Sequence, residues 1–172
     1  MKRLINLFVD ICLLRAAPQD LPVASFLVTF TLLLNLLTGT IVIVGNFNSV
    51  VPALLAQLMD LALLALLVRL ALNYQRHAGR FTQAISALFG CGVLINLVAM
   101  PLQLMIGDDP RVSPLGGLGV LFYVMLVIWG MVVVAHILRH TFEIRFGNGM
   151  LLSIGYFMLI NWLVELIFPR SS

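Results

Sequence analysis

Two groups of residues in this sequence could do chemistry. The first consists of polar side chains set inside long apolar runs: Asn35, Asp60, Asn96 and Asn161. Asp60 stands near the middle of VVPALLAQLMDLALLALLVRLALN, residues 50–73, a run long enough to cross the roughly 30 Å hydrocarbon layer of a bilayer. An aspartate at mid-bilayer costs about 2.5 to 3.5 kcal/mol on insertion scales, so its carboxyl must face protein or water. Counted at about 1.5 Å per residue, these polar residues fall within about one helical turn of a common depth. Ala53, Ala56 and Gln57 share a helix face with Asp60, and Thr31, Thr38 and Gly39 share one with Asn35; small and polar residues mark helix contacts in lipid.

Three roles for Asp60 follow. It hydrogen-bonds to the amides and fixes the packing of a bundle. Alternatively it belongs to a proton, ion or substrate pathway, with Glu165 nearer the outer surface on the face of Asn161. In the third case a partner subunit satisfies it.

The second group is His136, His140 and Glu143, spaced to share one helix face, with His77 on a neighbouring loop. Imidazoles at i and i+4 can bind a metal ion. The residue after His136 is Ile137 rather than an acid, so the HExxH protease pattern is absent. Solvated or headgroup-facing histidines are the plainer expectation, and no metal or other cofactor is expected.

The remaining chemistry is excluded by pattern. There is no CxxC or Cys/His zinc spacing, no glycine-rich phosphate loop, no nucleophile elbow and no paired-carboxylate spacing. A GDD triplet at Gly107 to Asp109 falls in a loop and lacks an intramembrane partner acid, so no aspartyl protease follows from it. Cys12 lies on the N-terminal segment and Cys91 inside an apolar run, which argues against a structural disulfide.

The elements that must position these residues are set by composition. The chain is 62% hydrophobic and 10% charged, against about 45 to 50% and about 25% in soluble domains, and its mean hydropathy is +1.10. It is an integral membrane protein with no room for a separate soluble catalytic domain, so any chemistry must sit within or beside the bilayer; no enzyme is expected, an intramembrane one being the least favoured reading. The net charge of +3 comes from basic residues scattered through short loops; without a basic stripe or arm, nucleic acid is not an expected partner.

Five apolar spans are predicted at about 22–45, 50–72, 82–105, 116–138 and 149–168. The short GNFNS connection makes the first two an antiparallel hairpin. Residues 1–15, MKRLINLFVDICLLR, are polar every three to four positions and too short to span. They read as an amphipathic helix lying along the headgroup boundary with Leu4, Leu7, Phe8 and Ile11 inserted. Asp10 interrupts the apolar run and Arg15 sits where a cleavage region should be neutral, which argues against a signal peptide. The prolines of APQDLP break this helix, and Asp20 can cap the next. The fold class expected is therefore all-α integral membrane, residues 16–172 forming a five-span domain behind the interfacial helix.

Lys2, Arg3, Arg15, Arg69, Arg76, Arg80, Arg139 and Arg145 share one side of this threading, and only Arg111 and Arg170 lie on the other. The positive-inside bias then puts the N-terminus in the cytoplasm and the C-terminus outside. Glycines thin the third span at Gly90 and Gly92 and the fourth at Gly119 and Gly130, where Tyr123 shares their side, as close helix packing requires. Pro101 should kink the third span, and Trp129, near mid-bilayer, should pack between helices.

QRHAGRFTQAISALFGCG, VIWGMVVVAHILRH and NGMLLSIGYFMLI, with a cytoplasmic N-terminus ahead of five spans, resemble the bacterial branch of the Yip family, the Rab-interacting five-span membrane proteins. The similarity covers most of residues 20–168. It implies an all-helical bundle whose eukaryotic relatives act in vesicle traffic by binding small GTPases and one another. Of the Asp-Leu-Tyr-Gly-Pro stretch of those relatives this chain keeps only Asp20, Leu21 and Pro22, so no site residue carries over. Nine Arg to one Lys and the scant soluble tail suit a multi-pass protein of a bacterial inner membrane.

The expectation is a non-enzymatic membrane protein that acts by association, with itself or as a small subunit or organiser of a membrane complex. Its cytoplasmic contact surface for partners or anionic lipid would be Arg76, Arg80, Arg139 and Arg145. The alternative is a small transporter, channel or lipid-moving protein using the Asp60 level.

Overall fold

The computed structural model describes residues 2–47, 49–107 and 115–168. Asp108, Asp109, Arg111 and Arg170 lie outside the described residues. Six α-helices account for most of the rest: α1 (Lys2–Cys12), α2 (Ser25–Ile43), α3 (Val50–Tyr74), α4 (Phe81–Ile106), α5 (Gly116–Phe142) and α6 (Phe146–Ile167). Short 3-10 turns follow at Pro18–Asp20, Val44–Asn46 and Ala78–Arg80, and no strand occurs among the described residues. α2 to α6 are each long and apolar enough to cross a membrane, as the composition required.

One end of the bundle carries the α3–α4 and α5–α6 connections with Arg76, Arg80, Arg139 and Arg145. We call it the basic end, and the end with the α2–α3 connection the far end. Three helices stop at the basic end in the same way. Leu14, Arg76 and Glu143 take left-handed backbone angles, with φ of 62°, 59° and 55°. Each lets the amide after it bond back to the helix: Arg15 to Asp10 O at 2.8 Å, His77 to Leu72 O at 2.9 Å and Ile144 to Arg139 O at 3.2 Å. This is the Schellman turn, built here without the glycine that usually occupies its left-handed position.

Helices with apolar residues on every side cannot choose their inward face by hydrophobicity, because lipid is as apolar as a neighbouring helix. Small residues make the choice. α4 packs against α1, α2, α3 and α5, and its stretch from Ala84 to Cys91 is buried throughout. Phe8 of α1 lies where a side chain on Gly90 would have to be, and the Asn35 amide of α2 lies where one on Gly92 would be. Gln57 of α3 covers Gly39 of α2 in the same manner. At the α5–α6 contact, a Cβ on Gly149 would stand 2.6 Å from the Ala135 carbonyl oxygen. One turn on, Ser153 donates to the Met131 carbonyl at 2.9 Å.

Three expectations are corrected here, and one pair of neighbours is added. Part of the apolar stripe of α1, expected in the headgroup boundary, packs on protein: Ile11 is fully buried, and Leu7, Phe8 and Cys12 join the same core as Leu88 and Ile137. Cys12 and Cys91, although far apart in sequence, pack in one core, both free, and the Cys91 thiol donates to the Phe8 carbonyl at 3.9 Å. Asp20 caps the turn Pro18–Asp20 by accepting from Ala17 N at 2.9 Å, while Ala24 precedes α2 without a side-chain cap. Trp129 is 40% exposed, so it faces outward instead of packing between helices.

Gly149→Ala should destabilise the protein by about 1 to 3 kcal/mol, since the clash is with backbone that cannot rotate away. Gly155, on the same helix, has open space around it. Gly155→Ala should be neutral or stabilising by up to about 1 kcal/mol. Unfolding of the two variants in one detergent, followed by thermal melts, separates the cases.

Candidate functional site

The polar level divides into two sites. In the first, Asn35 of α2 is the hub. Its Nδ2 donates to the Phe89 carbonyl of α4 at 2.8 Å. Its Oδ1 accepts from Gln57 Nε2 of α3 at 3.2 Å and from Asn96 Nδ2 of α4 at 3.3 Å. Asn96 also donates to Thr38 Oγ1 at 3.3 Å, whose own proton goes to Leu34 O one turn back at 2.8 Å. One buried amide thus ties together three spans.

Asp60 belongs to a different site. The amides do not reach it; Tyr156 of α6 does. Its hydroxyl donates to the Asp60 carboxylate and lies 2.8 Å from the Asp60 main-chain carbonyl. Asn161, expected at the same level, stays apart: it is exposed and its Nδ2 bonds only to Phe157 O within its own helix at 2.8 Å. Tyr156 was missed because a tyrosine in an apolar run reads as a packing residue. The usable signal was that it follows Gly149 and Ser153 on one helix face, the face that meets the bundle.

α3 and α6 do not pack along one another. They meet through Tyr156 and Asp60 and, at the far end, through Val164 and Phe168 against a cluster of Phe47, Ala53 and Ala56. Between these closures lies a cavity of about 540 Å³ walled by all five spans. Asp60, Gln57 and Asn96 reach it from the polar sites, while Ile95, Val127 and Ile160 give it apolar walls. Gly130, expected to serve close packing, lines this space instead, with Ile95 at 3.6 Å from a built Cβ. Of its lining residues, Phe157 and Asn161 are exposed.

No family model, curated protein or solved structure matches this chain. Its functional reading therefore rests on its own geometry.

At the basic end two of the candidate metal residues, His136 and His140, meet, and Glu143 turns to Arg80. His136 is buried with Nε2 3.0 Å from the Ala16 carbonyl oxygen, and its ring lies edge-on to His140 at 4.6 Å. Glu143 forms an ion pair with Arg80, Oε1 to Nη2 at 2.6 Å. Among the described residues no three His, Cys, Asp or Glu converge on a metal position. These residues hold the chain in place: Gln19 Nε2 donates to His140 O at 2.8 Å, and Gln83 Nε2 donates to Gln19 O and Leu21 O. Gln19 and Gln83 carried no recognisable pattern in the sequence. Of the expected contact surface, Arg80 is engaged with Glu143, while Arg76, Arg139 and Arg145 are exposed.

Asn35→Leu removes three intramembrane hydrogen bonds, each averaging about 0.6 kcal/mol. The expected loss is about 1 to 3 kcal/mol, read by reversible unfolding in mixed micelles. Asn161→Leu removes only an intrahelical bond, so its stability should stay close to that of the parent.

The Arg80 guanidinium, by hydrogen bond and charge, holds the Glu143 carboxyl below the usual glutamate range. A carboxyl lowered in the folded state stabilises it above the ordinary glutamate pKa and loses that contribution as pH falls through the lowered value. Stability should therefore drop on the acid side in the parent and drop less in Glu143→Gln. Melting temperatures across the acid range test this, and equal slopes would disprove it.

Proposed function

We propose that this chain is a non-enzymatic multi-pass membrane protein that holds a small amphiphile in its intramembrane cavity, as a small transporter or lipid-moving protein would. The single observation that supports this is the hollow itself. Its volume falls within the roughly 300 to 1,000 Å³ of ligand sites, and it combines apolar walls with a few convergent polar groups. Its exposed lining residues, Phe157 and Asn161, are both on α6, so a molecule dissolved in the bilayer can enter beside them without crossing water. The Asn35 hub stands beside it as a rigid wall, which is what a site needs to keep its shape.

Membership of the Yip family is part of this proposal, on the strength of the quoted segments and five spans. So are a bacterial inner membrane, a cytoplasmic N-terminus and a periplasmic C-terminus, on the distribution of basic residues. α1, packed beside α4, would then lie at the cytoplasmic face near the exposed Arg76, Arg139 and Arg145, within reach of anionic headgroups. Action by association finds support in Asn161. An exposed amide at membrane depth is a ready contact for a second helix, from another copy or another protein.

A neutral long-chain alcohol carrying a diazirine in its tail, photolysed in phosphatidylcholine vesicles containing the protein, should label Ile95, Val127 and Met131. It should also label lipid-facing residues such as Leu151 and Met158. Gly130→Phe, which fills the hollow, should abolish the first set and spare the second. Wall labelling no higher than background would overturn the reading.

A further inference from the structure

The lining of the cavity is chemically one-sided. Among the described residues it contains one acid, Asp60, and no Lys, Arg or His. Most of its polar donors already have an acceptor: Gln57 Nε2 bonds to Asn35, Asn96 Nδ2 to Asn35 and Thr38, Asn161 Nδ2 to Phe157 O, Ser153 Oγ to Met131 O and the Tyr156 hydroxyl to Asp60. The same is not true of its acceptors. Gln57 Oε1, Asn96 Oδ1 and the second carboxylate oxygen of Asp60 take no hydrogen bond from any described residue. The protein therefore offers an entering molecule one carboxyl group and several carbonyl-type acceptors, inside apolar and aromatic walls that include Phe157 and Tyr123.

Taking the cavity as a ligand site, as proposed above, the geometry points to a lipophilic cation or protonated amine as its occupant, with Asp60 as the counter-ion. Each feature selects that class. A carboxylate in a low-dielectric space needs an opposite charge at short range, and no described lining residue supplies one. A carboxyl group beside open acceptor oxygens, with no basic side chain among the described lining residues, favours an ammonium or alkylated cation over an anion, which would meet like charge. Tyrosine and phenylalanine faces add the attraction of an aromatic quadrupole for a cation. A neutral lipid tail would use the walls and leave the polar groups idle.

Charge balance then couples binding to a proton. Electroneutral entry of a cation requires that Asp60 start as the carboxylic acid. When a cation enters, the O–H bond breaks, the proton leaves for water, and the carboxylate pairs with the cation: one positive charge in, one out. The other titratable groups facing this space are Tyr156 from α6 and Tyr123 from α5; α2 and α4 contribute only amide and apolar side chains. Asp60 is thus the exchanging group, and affinity for a permanent cation rises with pH until the carboxyl is ionised without help.

Tetraphenylphosphonium and tetraphenylborate have the same shape and opposite charge, and make the test. Each is titrated by equilibrium dialysis against the full chain in phosphatidylcholine discs, with empty discs subtracted. The phosphonium should bind saturably, up to about tenfold more tightly per pH unit below the Asp60 transition, and the borate should not. Asp60→Asn, which keeps the shape and an acceptor for Tyr156, should weaken phosphonium binding by at least about tenfold. Asn161→Lys, a positive charge on an exposed lining residue outside the packed core, should weaken it as well. Equal binding of both ions, or phosphonium binding unaltered in Asp60→Asn, overturns the cation assignment. If the diazirine alcohol still labels the walls in that case, the cavity reading survives; if neither ion nor alcohol enters, both fall.

Discussion

An amide in hydrocarbon has no water to turn to, and the arrangement of this protein follows from where Asn35 finds its partners. Its two polar atoms reach α3 and two points on α4. To do so the amide must lie flat against α4, which is why Gly92 stands beneath it, and Gln57 must lie flat against α2, which is why Gly39 does. Glycine is useful at these positions for the space it leaves, not for unusual backbone angles. Without a hydrophobic force between helices in lipid, close approach and hydrogen bonding are what remain to hold α2, α3 and α4 in register.

The two ends of the bundle are built differently. Toward the basic end the interior is solid: Ile11, Val68, Leu72, Ile85, Leu88, Val133 and Ile137 form one core, and Gln19, Gln83 and His136 fasten the linker that leads from α1 into α2. Toward the far end the helices stand apart around the cavity, and α6 is joined to α3 only by side chains. Asp60 sits at the boundary between the two regimes. Tyr156 gives its carboxyl one partner, and the cavity leaves the rest of that group accessible, so the same residue closes the ring and faces the space inside it.

Much of this was legible in advance, and the failures have a common cause. The five spans appear within a few residues of their expected limits, because length and hydropathy alone decide what can cross a bilayer. The first begins later than expected, at Ser25, since Pro22 biases its surroundings toward extended backbone; the last begins earlier, at Phe146, because Arg145 is already extended and Gly147 and Asn148 can join a first turn. Asn35 and Asn96, counted to a common depth, are hydrogen-bonded. The bond expected between Asp60 and these amides is made instead with Tyr156, because depth says nothing about azimuth around the bundle. The same blindness hid the packing of Cys12 and Cys91 in one core, gave Trp129 a neighbour it does not have, and sent to the headgroup boundary the part of the α1 stripe that a groove on α4 receives. The opposing faces that settle these cases are decided by all six helices at once.

A bundle that is solid at one end and hollow at the other does not yield evenly when squeezed. Compression acts on void volume, and here the void lies at one depth, so crowding of acyl chains in one leaflet would draw α6 toward α3 while the opposite leaflet met an incompressible core. Such a body changes its taper under lateral stress. The seam bridged by Tyr156 is the line along which it would give.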